Sequence, residues 1–133
     1  MNPNVALLLG RVLASVPFIL GGYEKLTATS SFVTGFARLG VPYPNVAVVL
    51  AIVIELIGGL VFVLGIQTRL VSLGFAAYCI ITALIAHTNL SDRMQELNFV
   101  KNLSMAGGFL AFAAAGAGAY SVDAIRTRRG VAA

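Results

Sequence analysis

Apolar residues gather in four long stretches, separated by short polar or proline-rich breaks. The first runs from about Val5 to Gly22, the second from Val46 to Ile66, the third from Leu70 to Ala86 and the fourth from Leu103 to Ala119. A hydrocarbon core about 30 Å thick takes roughly 20 apolar residues as helix, so each stretch is read as one membrane span. Gln67–Arg69 joins the second to the third so tightly that these two must be antiparallel neighbours. Four crossings bring the chain back to its starting side, so both termini share one face.

The first connection is patterned as well. After Thr29, Ser30 and Ser31 offer a helix N-cap, and Phe32, Val33, Phe36 and Leu39 recur at helical spacing. Gly40 stops the run, and Pro42 and Pro44 keep it from restarting. This predicts a short amphipathic helix over about residues 31–39, lying in the headgroup region. The expected fold is an all-α membrane protein: a four-transmembrane-helix bundle with one interfacial helix, in a single domain over residues 1–133. The first apolar stretch has no basic leader, carries Arg11 inside it and ends in GGYEK. It reads as a retained span, not a cleavable signal.

Composition agrees. Of 133 residues, 59% are hydrophobic and 11% charged, against about a quarter charged in typical globular chains. The spans and their connections use the whole length, so no catalysis by a separate domain is expected. The net charge of +4 is spread along the chain, without the basic, aromatic-laced face that nucleic-acid binding needs. Arg69, Arg126, Arg128 and Arg129 fall on the side of the termini, with Arg11 leaning toward it. Lys25, Arg38, Arg93 and Lys101 fall opposite. The slight excess puts both termini in the cytoplasm. Cys79 is the sole cysteine, which excludes an intrachain disulfide, a CxxC pair and a cysteine metal site. It reads as a small packing residue. One histidine cannot supply both axial ligands of a membrane haem, and no other residues form a metal set; no metal is expected.

Helices in lipid associate by close packing of small residues. Arg11, Ser15, Phe18, Gly22 and Lys25 share a face of the first span, and Arg69, Ser72, Ala76, Cys79, Ala83 and Ala86 a face of the third. On the second, Gly58 and Gly59 sit one turn beyond Glu55. On the fourth, Lys101, Ser104, Gly108, Ala111, Ala115 and Gly118 form a stripe. All are expected to be buried seams.

Charge inside the hydrocarbon is costly unless paired or hydrated. Counted from the terminal face at about 1.5 Å per residue, Arg11 lies about 9 Å deep and Glu55 about 16 Å, a gap an arginine can close. An Arg11–Glu55 pair is expected, either fixing register or bordering a polar cavity for a ligand or proton. At the opposite face Lys25, His87, Lys101 and Asn102 gather at one mouth, where they form a candidate site for a carbonyl or anionic headgroup such as that of a quinone. Ordinary snorkelling at helix ends is the alternative. Asp123 and Arg69 are expected to pair near the surface of the terminal side.

The sequence resembles the DoxX family of small bacterial membrane proteins. The resemblance rests on GRVLASVPFILGGYEKL in the first span, the loop running into LGVPYP, ELIGGLVFVLGIQTRL in the second, His87 closing the third, and KNLSMAGGFLAFAAAGAGAYSVD. It implies a four-span protein of the bacterial inner membrane. Some relatives are associated with thiosulfate- or quinol-linked oxidation or redox homeostasis, so the resemblance implies a membrane subunit or docking site of a redox assembly, with a quinone as the one cofactor to consider. Soluble or membrane redox proteins, or a second copy of the chain, would be its partners beside the bilayer. A non-catalytic scaffold or small-molecule carrier is the alternative.

Overall fold

A computed structural model describes residues 2–131. They form six helices: α1 Pro3–Thr27, α2 Thr29–Arg38, α3 Pro44–Leu64, α4 Thr68–Ala86, α5 Arg93–Ala115 and α6 Val122–Val131. The protein is the expected four-helix membrane bundle of α1, α3, α4 and α5, with α2 in the first connection and α6 following the last span. By length and apolar composition α1, α3 and α4 are each sufficient to cross a membrane.

Local sequence sets the ends. The Asn2 side chain accepts from the Asn4 amide to cap α1, and Asp92 accepts from the amides of Met94 and Gln95 to cap α5. Gly65 leaves α3 at φ 68° and Gly116 leaves α5 at φ 83°. The helix that carries the fourth span is offset from the expected stretch. It begins at Arg93, ahead of Leu103, because Asp92 nucleates helix through a polar opening. It stops at Ala115, not Ala119, because Gly116 and then Gly118, at φ 76°, turn the chain away.

One phenylalanine from each long helix meets at the centre. Phe18 lies 4.3 Å from Phe75, Phe75 lies 5.0 Å from Phe109 and Phe62 lies 5.3 Å from Phe109, centroid to centroid. Such pairs add about 0.5–1.5 kcal/mol each beyond the area they bury, and here they tie α1, α3, α4 and α5 into one core. Most of the expected seams on α1 and α4 is buried: Arg11, Ser15, Phe18 and Gly22 on one, Ser72, Ala76, Cys79 and Ala83 on the other. Lys25 and Ala86 are half-buried at their ends, and Arg69, expected in the second seam, is exposed. The seam expected on the fourth span is not. Its buried face is Asn102, Ala106 and Phe109, while Ser104, Gly108, Ala111 and Ala115 are exposed. Phe109 fills the space between helices that small residues would have left, so α5 turns its small stripe outward.

Helices α1 and α3 run antiparallel in very close contact. A Cβ on Gly22 would lie 2.7 Å from the Leu56 amide, and one on Gly59 would lie 2.8 Å from Ile19. This register slides α1 along its axis, so the turns before Arg11 pack against the end of α5 and the stretch after it. A Cβ on Gly10 would meet Phe112, and Asn4 accepts from the Ala119 amide at 2.8 Å.

The terminal face is held by side chains that bind backbone. Asp123 does not pair with Arg69. Its two oxygens accept from the amides of Gln67 and Thr68, at 2.8 and 2.9 Å, capping the start of α4. Arg69 instead donates to the carbonyls of Ala113 and Ala114 at the end of α5. Free helix ends offer unsatisfied amides and carbonyls, which outcompete an exposed ion pair. Partial burial works to raise the Asp123 pKa, but the two amides outweigh it and leave the carboxyl below the usual carboxylate range. A depressed pKa gives stability that is complete above the unfolded value of about 3.9 and lost as pH falls through the folded one. The melting temperature of the wild type should therefore drop as pH is lowered below about 4. Asp123→Ala should melt lower at pH 7, by about 1 kcal/mol for the lost cap, and lack that part of the acid loss. Identical acid profiles for the two proteins would remove Asp123 from this role.

Candidate functional site

Glu55 sits where α3 widens into a π-type turn over Val53–Ile57, in which the Gly58 amide reaches back to the Val53 carbonyl. Wide turns of this kind are frequent at functional sites. The carboxylate is 6% exposed and is held from two sides. Lys25 Nζ donates to Oε2 at 2.8 Å, and the Tyr78 hydroxyl donates to Oε1 at 2.6 Å. Gly21 makes the first contact possible: a Cβ there would lie 2.9 Å from Oε2. Lys25 follows one turn later, so its ammonium hangs over the carboxylate. Three helices, α1, α3 and α4, thus meet at one ion pair and one phenol.

Arg11 does not join them. It is fully buried, and its guanidinium donates through Nη1 to the carbonyls of Val63 at 2.7 Å and Phe62 at 3.4 Å, and through Nη2 to the carbonyl of Tyr120. The expected Arg11–Glu55 pair fails because of the α1–α3 register. Gly21 and Lys25 lie level with Glu55, whereas Arg11 lies level with Val63, about 12 Å further along α3 at 1.5 Å per residue. The residue that meets Glu55 is Lys25. Arg11 takes carbonyls in the last turn of α3, where a cation also suits the helix dipole. Gly65 makes room for it, since a Cβ there would collide with Nη1.

Beside the Glu55 cluster lies a cavity of about 460 Å³. Its walls are α3 and α4, and α2 lies over it with Phe32, Phe36 and Leu39 turned inward. Most of the lining is aliphatic or aromatic, but Lys25, Glu55, Tyr78, Thr82 and His87 all reach it. Phe32 covers the Lys25 ammonium, whose nitrogen is 4.9 Å from the ring centroid. His87 Nδ1 is 2.8 Å from Gln95 Oε1. With Nδ1 donating to that oxygen, a neutral ring has Nε2 free to accept.

The four residues expected at this mouth therefore divide. Lys25 and His87 share the cavity. Lys101 and Asn102 do not line it: Lys101 is exposed and donates to the Asn98 side chain, while Asn102 is buried and donates to the Asn98 carbonyl. The earlier start of α5 explains this, because it places them inside a helix and not at its opening. Tyr78 escaped the sequence reading. The signal was present: a tyrosine near the middle of an apolar span needs a partner for its hydroxyl.

Residues 6–88, more than half of the chain, match the family model described as DoxX. The chain belongs to the DoxX family. Two curated relatives from Escherichia coli strain K12 are similar along most of their length. One is the inner membrane protein YqjF, 34% identical over 126 residues, covering 95% of each chain. The other is the inner membrane protein YphA, 36% identical over 124 residues, covering 90% of this chain and 89% of that one. No solved structure matches. This DoxX protein is accordingly a multi-pass protein of the inner membrane. Its family match runs from the first turn of α1 to just past His87, and so takes in every wall of the cavity with Lys25, Glu55, Tyr78 and His87. Lys101 and Asn102 lie beyond it.

Proposed function

We propose that this DoxX protein binds an isoprenoid quinone, or a similarly apolar carbonyl compound, and serves as the membrane subunit or docking site of a redox assembly. The observation that carries this reading is the cavity under α2, which pairs a long apolar wall with a compact polar end. About 460 Å³ falls within the range of small-molecule pockets, roughly 300–1,000 Å³. The polar end suits both forms of such a ligand. An ammonium has three N–H donors. Glu55 takes one from Lys25 and the Gly21 carbonyl, at 3.5 Å, lies near a second; the third is free for a carbonyl. The bare Nε2 of His87 accepts from a hydroxyl, as the reduced ligand would present. No chemistry is assigned to this chain alone; soluble or membrane redox partners would deliver or remove the electrons.

Two measurements test the reading. Mass spectrometry of the protein extracted in mild detergent should find an isoprenoid quinone retained in near-stoichiometric amount. A short-chain quinone titrated into ligand-free protein should bind, and His87→Ala should weaken the reduced form about five-fold, the value of one hydrogen bond. Soluble enzymes co-purifying with no bound small molecule would favour the scaffold alternative. Unchanged binding in His87→Ala and Lys25→Gln alike would remove the quinone from this cavity.

A further inference from the structure

A second cavity, of about 470 Å³, opens at the other end of the bundle, between the α3–α4 turn, the stretch from Ala115 to Gly118 and the start of α6. We propose that it binds a phosphate group, supplied by the headgroup of an anionic membrane phospholipid. This site is independent of the cavity under α2.

Two guanidiniums line it, those of Arg69 and Arg126. Arg69 is held in place: Nη1 donates to the carbonyls of Ala113 and Ala114 at 2.9 and 2.7 Å. Its Nε and Nη2 have no hydrogen-bond partner among the described residues. They lie 3.6 and 3.5 Å from where a Cβ on Gly116 would sit, so the glycine keeps that edge of the guanidinium open. Arg126 is exposed and forms no ion pair among the described residues. The one carboxylate on the wall, Asp123, already spends both oxygens on the amides of Gln67 and Thr68. The wall therefore carries one uncompensated positive charge and several free N–H groups in a planar, forked arrangement, which is what a phosphate takes.

The setting identifies the source. The cavity lies at the membrane face, and the surface leading from it into the bilayer is apolar. Leu70 and Leu73 on α4 are 68% and 51% exposed, and Leu110 on α5 is 51% exposed. A diacyl lipid could seat its phosphate on the arginines and lay its chains along these leucines. Basic pockets of this type, between helix ends at a membrane face, suit anionic headgroups.

The test uses the intact protein in detergent micelles doped with phosphatidylglycerol or with phosphatidylcholine, read by native mass spectrometry and by melting temperature. Phosphatidylglycerol should be retained and should raise the melting temperature above that in phosphatidylcholine. Arg126→Gln should weaken its retention about five-fold, the contribution of one arginine near an anionic surface. Arg93→Gln, at the opposite face, should leave it unchanged. The Arg126 side chain makes no hydrogen bond or ion pair among the described residues and acts on the Asp123 cap only through space, so its variant should melt close to the wild type in phosphatidylcholine. If millimolar inorganic phosphate stabilises the lipid-free protein, and Arg126→Gln abolishes this, the site takes phosphate from solution as well. Equal retention of the two lipids, or equal loss in Arg126→Gln and Arg93→Gln, overturns the proposal.

Discussion

Arg11→Met should lower the stability of the detergent-solubilised protein by about 3 kcal/mol. The carbonyls of Val63 and Tyr120 would lose the Arg11 donor, and that of Phe62 would keep only the Gly65 amide, around a side chain that is itself fully buried. A buried acceptor left bare costs about 1–3 kcal/mol. Part of that sum is returned, because a guanidinium with Asp123 near it but no carboxylate in contact no longer has to be desolvated. Arg11→Lys should recover little, since a single ammonium cannot span carbonyls on two segments as the planar fork does. The decisive comparison is with Glu55→Leu. Arg11 and Glu55 share no partner, so their losses should add to within about 0.5 kcal/mol in the double variant. A larger coupling would mean that the two residues meet after all.

Lys25 and Glu55 should behave in the opposite way. Their side chains are 14% and 8% exposed, close to full burial. Lys25→Met strands the carboxylate with the Tyr78 hydroxyl as its remaining partner, and breaking such a pair costs on the order of 3–5 kcal/mol. Glu55→Leu strands the ammonium under Phe32, with a smaller loss because a lysine can swing toward water. The Lys25→Met, Glu55→Leu double variant should regain most of the loss, since an apolar pair of similar size carries no desolvation cost. Thermal unfolding of the four proteins gives the coupling directly. Simple additivity here would show that the pair contributes nothing. A stable double variant that no longer retains quinone would locate the value of the pair in ligand binding and not in folding.

These contrasts trace what the sequence could and could not say. Phe32, Val33, Phe36 and Leu39 announce α2, because a periodic apolar face on a short segment favours an amphipathic helix over a plain polar loop. The small residues of α1 and α4 announce their seams for the same reason. On α5 the same logic fails: lipid and protein core are both apolar, so Ser104, Gly108 and Ala111 read alike whether they face a helix or the bilayer. Arg11 was misassigned because its partners are backbone carbonyls, which no side-chain pattern displays. The pairing of Glu55 turned on an axial shift of α1 against α3. Counting residues from span ends assumes that helices start level, and the glycine contacts that set the offset become visible only in three dimensions.

The wide turn at Val53–Ile57 has a consequence for how the chain can vary. A π-type turn holds one more residue than the α-helix that would cover the same rise, so the second span contains an insertion that the fold has absorbed. Removing that residue would restore a regular helix and leave both flanks in phase, so Gly59 would stay against Ile19 and Phe62 in the aromatic cluster. The loss would be local, at Glu55, whose place between Lys25 and Tyr78 is set inside the wide turn. A single-residue gap elsewhere in α3 has no such slack and would turn everything beyond it by about 100°. The span can therefore change length between positions 53 and 57 at the cost of its polar site, and elsewhere only by re-pairing its whole distal half.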